Sequence, residues 1–532
     1  MAAIVCGIVG AFVASRVGAT PQSRDLPKAA GQQYNVIFIL TDDLDKSLMP
    51  YLPNVRKLIG RQGASFSNYY VEAATCCTSR STIMTGEYSH NTKVVANAYP
   101  KGGYKKFHET SESTALPTWL GASYVAFFQG KFLNEYPYPQ GYSPTGGEPS
   151  RAELQRYVPQ GWDSWAVPVA GPAYSQTDYQ LNLDGEVQPA RHSTFLDKVL
   201  GERLLTAISA NGGADFRDGG NFYEWASYAP HFPYAYPAKY ESKFKNIVYP
   251  KKPSFNEADV SDKFGEAATR KRLSPHDISV INEVFRKRIR SLQVLDGYVA
   301  KLVAELRQVG ALENTYLVFS SDNGYNMGEH RLPIFKYNHF EEASNVPLMV
   351  RGPGIQPGQK IKTLAGNIDL APTFAEMTAT AIPDGVNVDG LSLLGVLQGR
   401  DRGVHRKYLL LTRGVTPLGT STRTGVLEPA ERYVPNHLHA RTSDFFGIVS
   451  TKWKLVRFWR ARGQPEELYN LRRDPYELNS LLPDGARSFR NLPPTTQQVV
   501  RQLRSSLTRL RACAGPSCTI DPASRGLDAQ KE

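Results

Sequence analysis

Two acidic pairs stand where apolar runs stop. Asp42-Asp43 follows Asn35-Val-Ile-Phe-Ile-Leu40-Thr41, and Asp322-Asn323 follows Tyr316-Leu-Val-Phe-Ser-Ser321. Three carboxylates brought to one place would repel one another without a cation. With an amide oxygen added they form an oxygen-only donor set, which suits Ca²⁺ first and Mg²⁺ second rather than zinc. Taken singly, each pair also reads as a turn or a helix cap, positions that Asp and Asn favour. A third feature is Cys76-Cys77-Thr78-Ser79-Arg80-Ser81, followed by Thr85-Gly86-Glu87-Tyr88. Adjacent cysteines with no His or Cys close by make a poor metal site, and a free cysteine is otherwise a small core residue. The fourth feature is a scattered set of cations: Lys131 in Gly130-Lys-Phe-Leu-Asn134, His231 in Ala229-Pro-His-Phe-Pro233, and Lys336 in Leu332-Pro-Ile-Phe-Lys336. Any one of them alone is a solvated charge or a structural histidine. Gathered together, they would suit a tetrahedral anion.

Side chains so far apart in sequence need a frame that collects them. The apolar runs Asn35–Leu40, Tyr316–Ser321 and Pro347–Arg351 read as buried strands of a largely parallel sheet. A helix is expected from about Leu52 to Arg61 and a further strand from Phe66 to Tyr70. Ile278, Ile281, Phe285, Ile289, Leu292, Leu295 and Val299 recur at spacings of three and four, which predicts a helix over Arg272–Arg307, stopped by Gly310. Strands alternating with helices argue for an α/β layer fold. In open α/β sheets ligands bind beyond the carboxyl ends of the strands, so both acidic pairs are expected at one edge. A joint is expected over 395–410, an antiparallel hairpin over Phe446–Ser450 and Trp453–Phe458, and a closing helix over Thr496–Arg511. The sequence holds no internal repeat.

The chain has 532 residues, long enough for two to four domains. With 41% hydrophobic and 21% charged residues, it is neither a disordered chain nor a coiled coil. The formal net charge is +12, so the surface can steer anionic partners. No dense Lys/Arg tract with interleaved aromatics stands out, which argues against nucleic acid as a partner. Five cysteines (Cys6, Cys76, Cys77, Cys513 and Cys518) are too few for a disulfide framework. Cys513 and Cys518 flank Ala-Gly-Pro-Ser and suit a small disulfide loop in an oxidising compartment. Residues 1–20 carry a short apolar run followed by small residues, as in a signal peptide, and 21–34 read as a linker. The run is too short to span a bilayer comfortably, and no other stretch is long and apolar enough, so stable membrane insertion is not expected. A secreted or periplasmic location follows. The lack of any Asn-X-Ser/Thr acceptor leans toward a bacterial-type export route.

Cysteine, Ser at +3, Arg at +4 and Thr-Gly a few residues on closely resembles the signature of the formylglycine-dependent type I sulfatases. Only Cys76 keeps that register, because four residues after Cys77 stands Ser81. The Lys131, His231 and Lys336 contexts, Val346-Pro347-Leu348, Asp369-Leu-Ala-Pro-Thr373 and Glu467-Leu-Tyr-Asn-Leu-Arg-Arg-Asp-Pro-Tyr-Glu477 follow in family order. The resemblance covers about 35 to 515. Ser254-Phe-Asn-Glu-Ala-Asp-Val-Ser-Asp262, Gly328-Glu-His-Arg331 and the paired cysteines resemble the N-acetylglucosamine-6-sulfatase and heparan-sulfatase branch most.

This resemblance implies an alkaline-phosphatase-like α/β sandwich. A catalytic domain would span 35–395, a smaller C-terminal domain with a short antiparallel sheet and a helix 405–515, and a polar tail 516–532. It implies that a maturation enzyme oxidises Cys76 to formylglycine, although Thr78 stands where the family usually carries proline. Asp42, Asp43, Asp322, Asn323 and the group at position 76 would hold Ca²⁺. Arg80, Lys131 and Lys336 would hold sulfate oxygens, Asp322 would act as base, and His231 or Lys336 would protonate the leaving alcohol. His90 lies close enough in sequence to touch substrate. The implied reaction is hydrolysis of a sulfated sugar or aryl sulfate. The alternatives are a phosphodiesterase or phosphonate monoester hydrolase on the same fold, or a non-catalytic binder of sulfated glycans.

Overall fold

The structure, a computed structural model, describes residues 33–145, 147–189, 191–400, 406–413, 444–459 and 463–519. The expected signal segment, nearly all of the linker, residues 401–405 of the joint and the end of the polar tail lie outside the described residues. In chain order the strands are β1 (Asn35–Thr41), β2 (Ala64–Phe66), β3 (Tyr69–Tyr70), β4 (Val125–Gly130), β5 (Ser164–Ala170), β6 (Gln180–Leu183), β7 (Glu186–Val187), β8 (Asn221–Ala226) and β9 (Thr315–Ser321). They continue with β10 (Asn326–Met327), β11 (Ile334–Phe335), β12 (Leu348–Arg351), β13 (Gln359–Ile361), β14 (Ala365–Gly366), β15 (Leu409–Arg413), β16 (Phe445–Val449), β17 (Trp453–Phe458) and β18 (Glu466–Asn470).

Ten strands form one sheet in the order β13-β2-β12-β9-β1-β8-β4-β5-β6-β7. The centre is parallel: β1 pairs with β9 on one side and β8 on the other, and β4 continues beyond β8. Antiparallel pairings enter toward the edges, at β12 and at β6 and β7. β1 shows why a central strand reads as an unbroken apolar run. Val36, Phe38 and Leu40 enter the core on one face, Ile37 and Ile39 the core on the other, all at 1% exposure or less. Burial on both faces demands apolar residues at every position, and each such side chain contributes about 1.5–3 kcal/mol.

A second sheet, β15-β16-β17-β18, is wholly antiparallel and packs against the helix Pro494–Leu510. Its core of Leu409, Ile448, Leu455, Val500, Leu503 and Leu507 also takes in Tyr70, Tyr88 and Ile368 from the larger part of the chain. The seam between the sheets is therefore apolar as well as charged.

Three expected elements differ. The Leu52–Arg61 helix is a single π-helical stretch, Val55–Gly60. The Phe66–Tyr70 strand is divided at Ser67-Asn68, so that β2 joins the large sheet while β3 pairs with β14. The Arg272–Arg307 helix is two helices, Pro275–Ser291 and Gln293–Gln308, that meet at Leu292.

Candidate active site

The parallel direction of β1, β4, β8 and β9 delivers their carboxyl ends to one edge, each followed at once by chemistry. β1 ends into Asp42-Asp43, β4 into Lys131, β8 into the turn that carries His231, and β9 into Asp322-Asn323. Asp43 adopts φ 68°, a left-handed conformation that Asp tolerates better than most residues. Arg288 holds this turn from the helix Pro275–Ser291. Its guanidinium pairs with Asp45 at 2.8 Å and donates to the Asp43 carbonyl.

Opposite this edge the helix Cys76–Thr85 begins at Cys76, so residue 76 sits at a helix N-terminus, where partial positive charge collects. All ten residues of the helix are buried. Gly86 closes it at φ 71°, and a Cβ there would lie 2.9 Å from Val388 Cγ1, so glycine is required for conformation and for space.

The side chains converge closely. Ligand atoms of Asp42, Asp43, Cys76 and His231 all lie within 4.8 Å of one another, in a fully buried group. Asp322 joins through the Asp43 amide, which donates to its Oδ1 at 3.2 Å, and Asn323 through its Nδ2, 2.6 Å from Asp43 Oδ1. Three cations ring the cluster. Lys131 Nζ lies 2.5 Å from Asp42 Oδ2, Lys336 Nζ lies 2.8 Å from Asp43 Oδ1, and Arg80 Nε lies 2.8 Å from Asp322 Oδ2. Lys336 Nζ also stands 2.9 Å from Cys76 Sγ, and Asp42 Oδ1 is 3.4 Å from that sulfur. Arg80 Nη1 donates to the Lys131 carbonyl at 2.7 Å, tying the helix to the end of β4. His231 donates from Nδ1 to the Phe232 carbonyl at 2.8 Å, which turns Nε2 toward Asp43 Oδ2 at 3.7 Å.

The electrostatics follow from burial. Burial first, then the Asp42 carboxylate, pushes the Cys76 thiol well above the usual thiol range. Burial and Asp42 also raise the Asp322 carboxyl. Burial works against the Arg80 guanidinium, but Asp322 and Asp42 more than offset it and keep it charged. The cluster thus assembles hard oxygen donors, a cysteine and a ring of donors for an anion. Compared with the oxygen-only set read from the acidic pairs, it gains a sulfur and an imidazole.

The Sulfatase family model matches residues 34–380, more than half of the chain. The chain belongs to the sulfatase family. It is 32% identical over 520 residues to the N-acetylglucosamine-6-sulfatase of Homo sapiens, covering 93% of this chain and 89% of that relative. In fold it is similar to a protein solved in complex with its substrate D-glucosamine-2-N,6-O-disulfate, with a TM-score of 0.68, 19% identity, and 89% and 97% of the two chains covered. It is also similar to the phosphonate monoester hydrolase of Silicibacter pomeroyi, with a TM-score of 0.63, 20% identity, and 89% and 96% covered. The fold is thus the alkaline-phosphatase-like α/β sandwich, carrying the sulfatase branch that includes N-acetylglucosamine-6-sulfatases. The protein is a sulfatase enzyme that hydrolyses sulfate esters.

The residues of the sulfatase site form a cluster whose chemistry fits a divalent cation. Asn323 Oδ1 is a buried acceptor without a hydrogen bond, and it stands beside three carboxylates. Such a set fits a hard cation.

His90 is placed elsewhere. Its Nε2 bonds to the Cys513 carbonyl at 2.8 Å and its ring stacks on Tyr88, so it belongs to the seam with the C-terminal segment. Cys513 and Cys518 form a disulfide. Three residues around the sulfatase site were missed from sequence. Arg288 had a signal, an arginine on the apolar stripe of its helix beside Phe285 and Ile289. Tyr174 and Glu135 had none. The Tyr174 ring lies 4.6 Å from the His231 ring and 5.1 Å from Lys131 Nζ, and Glu135 lines the same cleft.

Proposed function

We propose that this sulfatase acts through formylglycine derived from Cys76, with a bound calcium ion, on a sulfated sugar of the N-acetylglucosamine-6-sulfate type or an aryl sulfate. One observation carries the reading: Cys76 lies at a helix N-terminus, inside a buried knot of Asp42, Asp43 and His231, with Lys336 against its sulfur. An unmodified thiol there would be a poor nucleophile, because burial and Asp42 keep it protonated at neutral pH. Formylglycine would supply, as its hydrate, a hydroxyl nucleophile for sulfur and a second hydroxyl for releasing sulfate. Asp42, Asp43, Asp322, Asn323 and residue 76 would hold Ca²⁺, which would supply positive charge to acidify a hydroxyl and offset developing negative charge.

The remaining work falls to the chain's own side chains. Arg80, Lys131 and Lys336 place three cations where sulfate oxygens must sit and stabilise the charge that grows on them. Asp322 takes a proton from the attacking hydroxyl. His231, or Lys336, gives one to the departing alcohol oxygen. With its Nδ1 hydrogen already committed to Phe232, His231 would donate from Nε2 as an imidazolium. The net change is one ester S–O bond broken by water, giving an alcohol and sulfate.

A maturation enzyme that oxidises Cys76 is the partner this chemistry requires. Export from the cytosol fits the Cys513–Cys518 disulfide and the apolar N-terminal run. Among the described residues no helix is long and apolar enough to cross a membrane.

The deciding experiment is mass spectrometry of the peptide containing residue 76 from active enzyme, alongside sulfate release from N-acetylglucosamine-6-sulfate and 4-nitrophenyl sulfate. Phosphate and phosphonate esters serve as controls. The expected result is a mass loss matching Cys→formylglycine in material that prefers sulfate esters. An unmodified thiol in fully active enzyme would overturn the reading.

A further inference from the structure

A cleft of about 800 Å³ opens beside the cluster and reaches it through Lys131. The volume lies in the range of small-molecule sites. Tyr136, Tyr174, Tyr228 and Phe232 present aromatic surface to it. Tyr174 and Tyr228 meet edge-to-face at 5.0 Å, and Tyr174 touches both Lys131 and His231. These rings therefore stand at the boundary between the sulfate-holding cations and the space the rest of the substrate must fill. Aromatic faces of this kind accept the apolar face of a pyranose or an aryl ring.

The charges in the cleft are sparse. Among the described residues lining it, Lys131 is the only cation and Glu135 the only carboxylate. Lys131 already faces Asp42 at 2.5 Å and is assigned to the ester's own sulfate. Glu135 is fixed in place. The backbone N–H of Tyr99 donates to its Oε2 at 2.8 Å, the backbone N–H of Gln140 also bonds to it, and the Oε2 lies against Gly103, where a Cβ would come within 2.5 Å. The cleft is thus largely aromatic with neutral polar groups, nearly devoid of positive charge and marked by one anchored negative group. The whole chain, at +12, has the opposite bias.

We propose that this cleft selects a ring whose only anionic group is the sulfate being removed, and that Glu135 is the residue that rejects a second anion. The inference rests on the sulfatase reading and names the substrate class of that same site. A second sulfate or carboxylate on the ring would enter a space whose one cation, Lys131, already faces Asp42, and would meet the half-buried Glu135, beside which like charges repel more strongly than in open water. Hydroxyl or amide N–H groups on a neutral ring would find Glu135 an acceptor. The long-range positive field would still draw polyanions to the surface, so attraction and turnover would be governed by different parts of the molecule.

The test uses full-length enzyme whose conversion at residue 76 has been verified by mass. kcat/KM is measured for N-acetylglucosamine-6-sulfate, D-glucosamine-2-N,6-O-disulfate and 4-nitrophenyl sulfate. The monosulfated sugar should exceed the disulfate by roughly tenfold or more, equivalent to about 1.4 kcal/mol. E135Q should narrow that ratio several-fold. The wild-type ratio should also shrink as salt rises, since screening weakens repulsion, and this reading does not depend on the variant folding. A disulfate turned over as fast as the monosulfate, a ratio unmoved by both E135Q and salt, or aryl ester cleavage with neither sugar cleaved would overturn the inference. Failure of this converted enzyme on all three esters would instead sink the sulfated-sugar and aryl-sulfate reading beneath it.

Discussion

At the carboxyl ends of β1 and β9, Asp42, Asp43 and Asp322 lie buried among Arg80, Lys131 and Lys336. At the seam between the two sheets, Glu477 and Glu467 lie fully buried, and Glu341 partly buried, against Lys454 and His339. Both regions gather three carboxylates around buried cationic or imidazole groups. At the seam Lys454 Nζ donates to Glu341 Oε1 at 2.8 Å and to the His339 carbonyl at 2.9 Å, and its charge faces Glu477 Oε1 at 2.7 Å. Glu467 accepts from His339, Tyr469 and the Phe264 amide. At the strand ends an amide oxygen of Asn323 stays without a hydrogen bond, a thiol lies among the charges, and Lys131 looks into a cleft. Buried charge alone does not mark a catalytic centre. What marks it here is a thiol among the charges and an opening beside them, whereas the lysine-centred network, closed around Lys454, holds two layers together.

The sharpest way to break this comparison is to remove the centre of the first region. Cys76→Ser keeps shape and burial but cannot yield the second hydroxyl needed to release sulfate. We expect turnover to fall by roughly 10⁴-fold or more, as when a nucleophile is removed elsewhere, while substrate binding and thermal stability stay close to wild type. Steady-state assays, a binding titration and a melting curve check this together. Sustained multiple turnovers would show that the region is not the reaction centre.

The second test removes the centre of the other region. Lys454→Met leaves the buried Glu477 and the partly buried Glu341 without their shared cation. Burial already pushes Glu477 up to about 8 even with Lys454 present. Breaking a buried pair from one side costs about 3–5 kcal/mol, so chemical denaturation should show a large loss of stability, with kcat nearly unchanged below the new transition. A selective loss of kcat in a stably folded variant would blur the distinction between the regions.

The sequence made parts of both regions legible and hid others for physical reasons. β1 could be read because burial on both faces leaves no polar position, and β16 and β17 because their apolar runs flank a tight turn. The break at Leu292 could not. Both helices present one apolar stripe, and spacings of three and four pass over a one-residue kink unchanged. The division of Phe66–Tyr70 was hidden because remote strands decide it, with β12 and β13 claiming β2 and β14 claiming β3. Asp42-Asp43, Asp322-Asn323, Cys76 and Arg80 were legible because strand ends and a dense motif fix them locally. Tyr174 and Glu135 were not, because their roles depend on where two loops come to rest.

The smallest expected effect concerns Glu72, which sharpens the comparison because it is buried charge with neither a metal-like cluster nor a listening cation among its hydrogen-bond partners. It lies four residues before Cys76, 1% exposed, and accepts from Ser89 Oγ at 2.5 Å and Thr412 Oγ1 at 3.0 Å, so it links the catalytic part of the chain to β15. Burial raises it from 4.5 to about 7, partly offset by the hydrogen bonds from Ser89 and Thr412. A raised folded-state pKa means that its stabilising share is complete below about 4.5 and is lost as pH climbs through about 7. Glu72→Gln cannot ionise and should escape that loss. The stability difference, variant minus wild type, should therefore move in the variant's favour between pH 5 and pH 8, by at most about 1.4 kcal/mol per pH unit. Melting curves across that range measure it. A difference that stays flat with pH would mean that the hydroxyl donors fully compensate the buried carboxylate.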